Sequence, residues 1–138
     1  MADTLTPEQR VKAMCSVKSR DTSVEMAVRS LVHAMGFRYR LHVSDLPGKP
    51  DLVFPSRRKI IQVHGCFWHQ HLGCRHATMP STNAEYWVHK LYSNVRRDNA
   101  NVKALKAMGW KVMVVWECEA QARARQRLIK RLRRFLCP

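Results

Sequence analysis

Acidic side chains are scarce in this sequence: 10 Asp and Glu stand against 25 Lys and Arg, a formal charge of +15. Such an excess repels itself in the compact state, so folding gives no reason to carry it. A polyanionic partner does, and nucleic acid is the first candidate. Long apolar runs are missing too. No stretch approaches the ~18 residues that span a bilayer, and residues 1–10 lack the apolar segment of an export signal. We therefore expect a cytoplasmic protein with no membrane partner. The five cysteines are an odd number, which argues for thiolates and metal in place of a disulfide framework. Repeats, low-complexity segments and linkers are absent as well. The chain 1–138 reads as one domain, and 46% hydrophobic residues suffice to bury a core.

What is present alternates between helix and strand signals. Thr6, Pro7 and Gln9 open a short basic helix reaching about Ser16, in which Met14 reads as core filler. Thr22 and Glu25 have capping-box spacing, and Val28, Leu31, Val32 and Met35 continue a helix that stops at Gly36. By that reading Glu25 is a capping residue. Residues 37–42 alternate as a half-buried strand does, 51–54 and 59–63 are short apolar strands, and 75–82 carries no periodicity. A long helix is expected over 83–108 with Val95, Val102, Leu105 and Met108 inward. A dense apolar strand follows at 110–116, with Trp110 and Trp116 in the core. The last helix, about 120–136, puts Leu128, Ile129, Leu132, Phe135 and Leu136 on one face and Arg123, Arg127, Lys130 and Arg134 on the other. That basic face suits either plain solvation or phosphate contact. The order predicts an α/β fold, a single domain with a central mixed β-sheet flanked by helices. Its functional face should lie where strand ends meet Asp51 and Gly65.

Three constellations carry chemistry. Cys66, His71 and Cys74 are clustered in sequence, and Cys118 follows the strand at 110–116; four ligands of this softness, pinning a loop to a distant strand, suit a structural zinc ion. His69 and His76 are alternatives to His71. Inert buried thiols are the bland reading, but Cys66 and Cys74 flank a polar, His-rich loop, which argues against their burial; Cys15 and Cys137 are left without a role. Asp51, after Pro50, heads one short strand beside the next, where a carboxylate can hold magnesium, a hard cation that polarises a phosphate and makes water more acidic. His64 and His69 add imidazoles that exchange protons near neutral pH. The adjacent aromatics Phe67-Trp68 and Tyr86-Trp87 stand among polar residues, so at least one ring of the loop pair should be exposed, able to wedge between bases.

At these residues the sequence resembles the very-short-patch repair endonucleases, a branch of the restriction-endonuclease-like PD-(D/E)xK fold. The blocks that carry the resemblance run in order: Arg20-Asp21-Thr22-Ser23-Val24-Glu25, Leu46-Pro47-Gly48-Lys49-Pro50-Asp51, His64-Gly65-Cys66-Phe67-Trp68-His69, Glu85-Tyr86-Trp87 through Asn94 and Asp98, and Val115-Trp116-Glu117-Cys118. The resemblance implies magnesium-dependent nicking of double-stranded DNA 5′ to the thymine of a T:G mismatch, by a monomer braced with zinc. It implies Asp51 and the backbone carbonyl of Val63 as magnesium ligands, His69 acting on the attacking water and His64 against the phosphate. Glu25 and Asp98 would orient water or His69, which replaces the capping-only reading of Glu25. Phe67, Trp68 and Trp87 would enter the duplex from the major groove and Met14 from the minor groove, with Lys90 and Asn94 on DNA. About 1–20 would be a DNA-contacting helix and about 119–138 a basic C-terminal helix, and mismatch-repair ATPases are candidate partners. The acid and lysine of the general signature are replaced by Gln62, Val63 and His64, so proton transfer falls to histidine. Two readings from other classes stand beside this one: a non-catalytic zinc-braced DNA-binding module, and a restriction-type nuclease acting on paired DNA.

Overall fold

A computed structural model describes residues 22–137. The expected N-terminal helix, with Met14 and Cys15, lies outside the described residues. Helix α1, Ser23–Ala34, starts as its capping signal predicts, with Thr22 Oγ1 accepting the Glu25 N–H at 3.2 Å. Only half of the capping box forms, because the Glu25 side chain turns inward and is 2% exposed.

Four strands follow: β1 (Arg40–Leu41), β2 (Leu52–Phe54), β3 (Lys59–His64) and β4 (Lys111–Trp116). They pair in that order, antiparallel until β3 and β4, which are parallel. A parallel pair needs a long crossover, supplied here by α2, Ala84–Ala107. Leu52, Phe54 and Ile61 face α1 and the C-terminal helix α3, Arg125–Leu136, whereas Val53 and Ile60 face Leu105 of α2 and Trp110. Alternation along the strands therefore covers both faces of the mixed sheet with helix.

Several boundaries differ from expectation. The strand expected over 37–42 shrinks to two exposed residues, since among the described residues β1 is a sheet edge with a partner on one side only. On α2 the buried residues are Trp87, Leu91 and Leu105; Val95 and Val102 are half-buried and Met108 is exposed. The last helix begins later than 120, after two 3-10 turns, Glu117–Ala120 and Ala122–Ala124. Its apolar stripe behaves as read: Leu128, Leu132 and Leu136 are fully buried.

The two ends of the sheet do different jobs. At one end, the β2–β3 turn ties down helix termini: Arg57 donates to Leu136 O, Lys59 Nζ to Phe135 O, and Arg58 to Met108 O with its guanidinium 4.3 Å from the Trp110 ring. Cations at helix C-termini meet the negative end of the helix dipole. At the other end, β2 begins, β3 and β4 finish, and the chemically equipped residues collect.

Candidate active site and metal centre

Asp51 is delivered by the turn at Pro47-Gly48-Lys49. Gly48 has φ +78, and a Cβ there would meet Asn101 Nδ2 of α2 at 2.6 Å, so only glycine lets this turn lie against the helix. Asp51 Oδ2 then accepts the Val63 N–H at 2.7 Å, clamping the head of β2 to β3. Glu25 lies beside it, bonded to Arg29 and, at 2.8 Å, to His42 Nε2. Ligand atoms of Glu25, His42 and Asp51 all fall within 4.8 Å of one another. Burial, only partly offset by the Val63 hydrogen bond and reinforced by the negative charge of Glu25, pushes the Asp51 carboxyl up to about 6. Two carboxylates held this close with an imidazole form a donor set that a divalent cation fits, and a cation would relieve their repulsion.

Across the same cleft, of about 1250 Å³, stand His64, His69 and Asp98. His69 Nδ1 lies 2.5 Å from Asp98 Oδ2, so the ring nitrogen facing the carboxylate carries hydrogen and Nε2 is left to other partners. His64 stacks on His69 with centroids 4.0 Å apart and planes 9° from parallel. Burial, aided by the neighbouring His69, lowers the His64 imidazole to about 4, which keeps it neutral at pH 7.

Beyond Gly65 the loop folds back on itself, His69 N–H donating to Gly65 O and His71 N–H to Cys66 O. This brings Cys66, His71 and Cys74 together with Cys118 from the turn after β4. Around a tetrahedral zinc ion with bonds of ~2.3 Å to sulfur and ~2.05 Å to nitrogen, S and N ligands stand ~3.6 Å apart. His71 Nδ1 lies 3.6 Å from Cys66 Sγ and 3.5 Å from Cys118 Sγ. The cluster fits such an ion. Burial pushes the Cys66 thiol up to about 12 and raises that of Cys118, while hydrogen bonding from the His76 backbone lowers that of Cys74.

The loop also carries Phe67 and Trp68, whose rings pack 5.2 Å apart and against Trp87 at 5.7 and 5.9 Å. Asn94 Nδ2 fixes this loop by donating to Trp68 O at 3.1 Å. Lys90 and Asn94 line the cleft wall beside the aromatic pair.

A family model described as DNA mismatch endonuclease Vsr matches residues 2–75, more than half of the chain. The chain belongs to the Vsr family. It is 37% identical to the DNA mismatch endonuclease Vsr of Escherichia coli, over 99% of this chain and 89% of that protein. It is 53% identical to the type II nicking enzyme V.XorIIP of Xanthomonas oryzae pv. oryzae, over 86% and 87% of the two chains. The type II nicking enzyme V.NmeAIP of Neisseria meningitidis is 37% identical over 96% of each.

In this Vsr-family chain the sequence-predicted residues Glu25, Asp51, Val63, His64, Phe67, Trp68, His69, Lys90, Asn94 and Asp98 all line one cleft. His42 belongs with them and was missed. Its backbone N–H bonds Asp51 O and its φ is +46, so its place depends on strand pairing and a left-handed turn that no local pattern announces. Four expectations need correction. Cys66 is fully buried, not exposed in a polar loop, because the loop closes over it. Phe67 and Trp68 are both half-buried, since they pack on each other and on Trp87. Trp87 is itself buried beneath them. Trp116 is half-buried, not core: it stacks on His71 with centroids 4.2 Å apart. His71 is the histidine of the cysteine cluster; His69 turns to Asp98 instead, and His76 is exposed. Among the described residues, no helix is long and apolar enough to cross a membrane.

Proposed function

We propose that the chain is a strand-specific DNA endonuclease of very-short-patch repair. It nicks 5′ to the thymine of a T:G mismatch, the product of 5-methylcytosine deamination, by magnesium-dependent hydrolysis. The observation that carries this reading is the convergence of the Asp51 pocket and the His69–Asp98 pair on one cleft. Its relatives, a mismatch endonuclease and nicking enzymes, support it.

Asp51, with the Val63 carbonyl, would hold magnesium, which when bound supplies Lewis-acid polarisation of the scissile phosphate. Glu25 and His42 fix the approach to that carboxylate. His69, with its Nδ1 hydrogen committed to Asp98, accepts a proton from water at Nε2 as water oxygen attacks phosphorus and the P–O bond to the leaving sugar oxygen breaks. His64, neutral and backed by His69, offers a ring N–H to a phosphate oxygen without bringing a charge. Phe67 and Trp68, backed by the buried Trp87, enter the duplex beside the mismatch from the major groove and Met14 from the minor groove, while Lys90 and Asn94 hold the backbone.

Cys66, His71, Cys74 and Cys118 would bind zinc and brace the loop that carries the wedge and His69. The sheet and its flanking helices form a restriction-endonuclease-like domain. It acts as a monomer, with basic ends at about 1–20 and 119–138 on DNA. The test compares duplexes differing only in a T:G or T:A pair, incubated with zinc-loaded protein and magnesium. A single nick in the thymine strand of T:G alone is expected. Equal cutting of both indicates a restriction-type nuclease, and binding without product under any divalent ion indicates a DNA-binding module.

A further inference from the structure

Four rings connect the cysteine cluster to the cleft. His71 lies flat on Trp116, 4.2 Å between centroids and 8° from parallel. Trp116 meets His64 edge to face at 5.2 Å and 78°. His64 stacks on His69 at 4.0 Å, and His69 ends the series on Asp98.

Trp116 can occupy this place because it closes β4 in parallel register with His64 at the end of β3. Residues paired in register project from the same side of a sheet, so both rings leave at one level. Its backbone is held as well: Trp116 N–H donates to Glu119 Oε1 at 3.0 Å, and Glu119 pairs with Arg131. The indole is half-buried and borders a hollow of about 400 Å³ beside His71, Cys118 and Arg127. Its position is set by the two imidazoles it touches more than by a surrounding core.

The geometry points to Trp116 as a positioning residue that passes the location of the metal-bearing loop to the His64–His69 pair. This rests on the function proposed above. His69 and His71 belong to one loop, and His64 meets Trp116 edge to face while stacking on His69. Ring pairs of these kinds bias an orientation by up to about tenfold in population. Without the indole, His64 keeps only its stack on His69, and the plane in which His69 Nε2 meets water is less firmly fixed. A side chain that only filled space there would be replaceable by leucine.

The experiment uses the zinc-loaded full chain as Trp116→Leu, Trp116→Phe and His71→Cys, the last keeping four zinc ligands while removing the ring stacked on Trp116. Three quantities are read: zinc content and duplex affinity, single-turnover nicking rate, and the proton NMR signal of the His69 Nδ1 hydrogen facing Asp98. Trp116→Leu should keep one zinc and an affinity within about twofold of the parent, lose about tenfold in rate, and show that signal broadened by exchange with water. Trp116→Phe should recover most of both losses. His71→Cys should reproduce the leucine signature with Trp116 intact. Parental rate and an unchanged signal in either zinc-loaded variant overturn the inference, and His71→Cys decides it if Trp116→Leu does not fold. A parent that nicks no duplex would refute the proposed function instead, while the NMR signal would still decide the role of Trp116.

Discussion

Replacing Asp98 with Asn removes a charge and reverses what the side chain can offer His69. The carboxylate accepts the Nδ1 hydrogen at 2.5 Å; an amide can turn its NH2 toward Nδ1 and hold the imidazole in the opposite tautomer, with hydrogen on Nε2, the atom that in the proposed reaction takes the proton from water. A hydrogen bond to a charged group contributes about 1.5–3 kcal/mol, and the pair is partly open to solvent, with side-chain exposures of 28% and 21%. Allowing for screening leaves about 1.5–2.5 kcal/mol, and at 1.36 kcal/mol per decade this lowers the chemical step by about 10- to 70-fold. The tautomer change adds to that, toward the ~10⁴-fold loss when Asn replaces the Asp of a Ser-His-Asp triad. Single-turnover nicking of a T:G duplex at saturating protein and magnesium reads the rate, and fluorescence anisotropy reads binding, which should stay within about twofold. Asp98→Ala, which leaves room for water in place of the wrong donor, should lose less than Asp98→Asn. Parental nicking by Asp98→Asn, or a loss confined to binding, would refute the assignment of His69 as base.

Other expectations follow from the same cleft and its surroundings. Asp51→Ala should bind mismatched duplex normally and nick none of it, read by anisotropy and gel assay together. Because the Asp51 carboxyl is raised to about 6, protons compete with a divalent ion below that pH. Calorimetric affinity for magnesium should be level above pH 6 and fall about tenfold per unit below it, a dependence absent in Asp51→Asn. Cys66→Ser should lose bound zinc and, by the loop-closure estimate for a link from Cys66 to Cys118, about 4 kcal/mol of stability in urea unfolding. Joint replacement of Arg127, Lys130 and Arg134 by Gln should lower the slope of log affinity against log salt by up to about 3 if that face meets phosphates. An unchanged slope would mark it as a solvated surface.

Elements bounded by strong local signals were legible in the sequence. Strand β3 is a β-branched apolar run between a turn and a glycine, and α2 ends where Gly109 follows its last apolar positions. Asp51, His69 and the cysteine cluster were legible because each sits in a short motif whose residue types have few other uses together. What was hidden depends on pairing across the chain. His42 joins Glu25 and Asp51 only through the β1–β2 contact and a left-handed turn. Trp116 has the composition of a core residue, and only the folded-back loop sets His71 on its face. Cys66 opens a His-rich loop in the sequence yet is sealed by that same loop. The 3-10 turns before α3 replace a predicted helical stretch where the chain bends to bring Cys118 to the cluster.

The β2–β3 turn lies at the opposite pole from the cleft, where Arg57, Arg58 and Lys59 hold the ends of α2 and α3. Damage there and damage at the cleft should therefore present differently in a cell. Variants of the turn would thin the pool of folded molecules while each survivor works at full speed, and cooling or overproduction could restore them. On the proposed function, variants at Asp51 or Asp98 would leave the pool intact but inert, still able to sit on mismatches and block other repair.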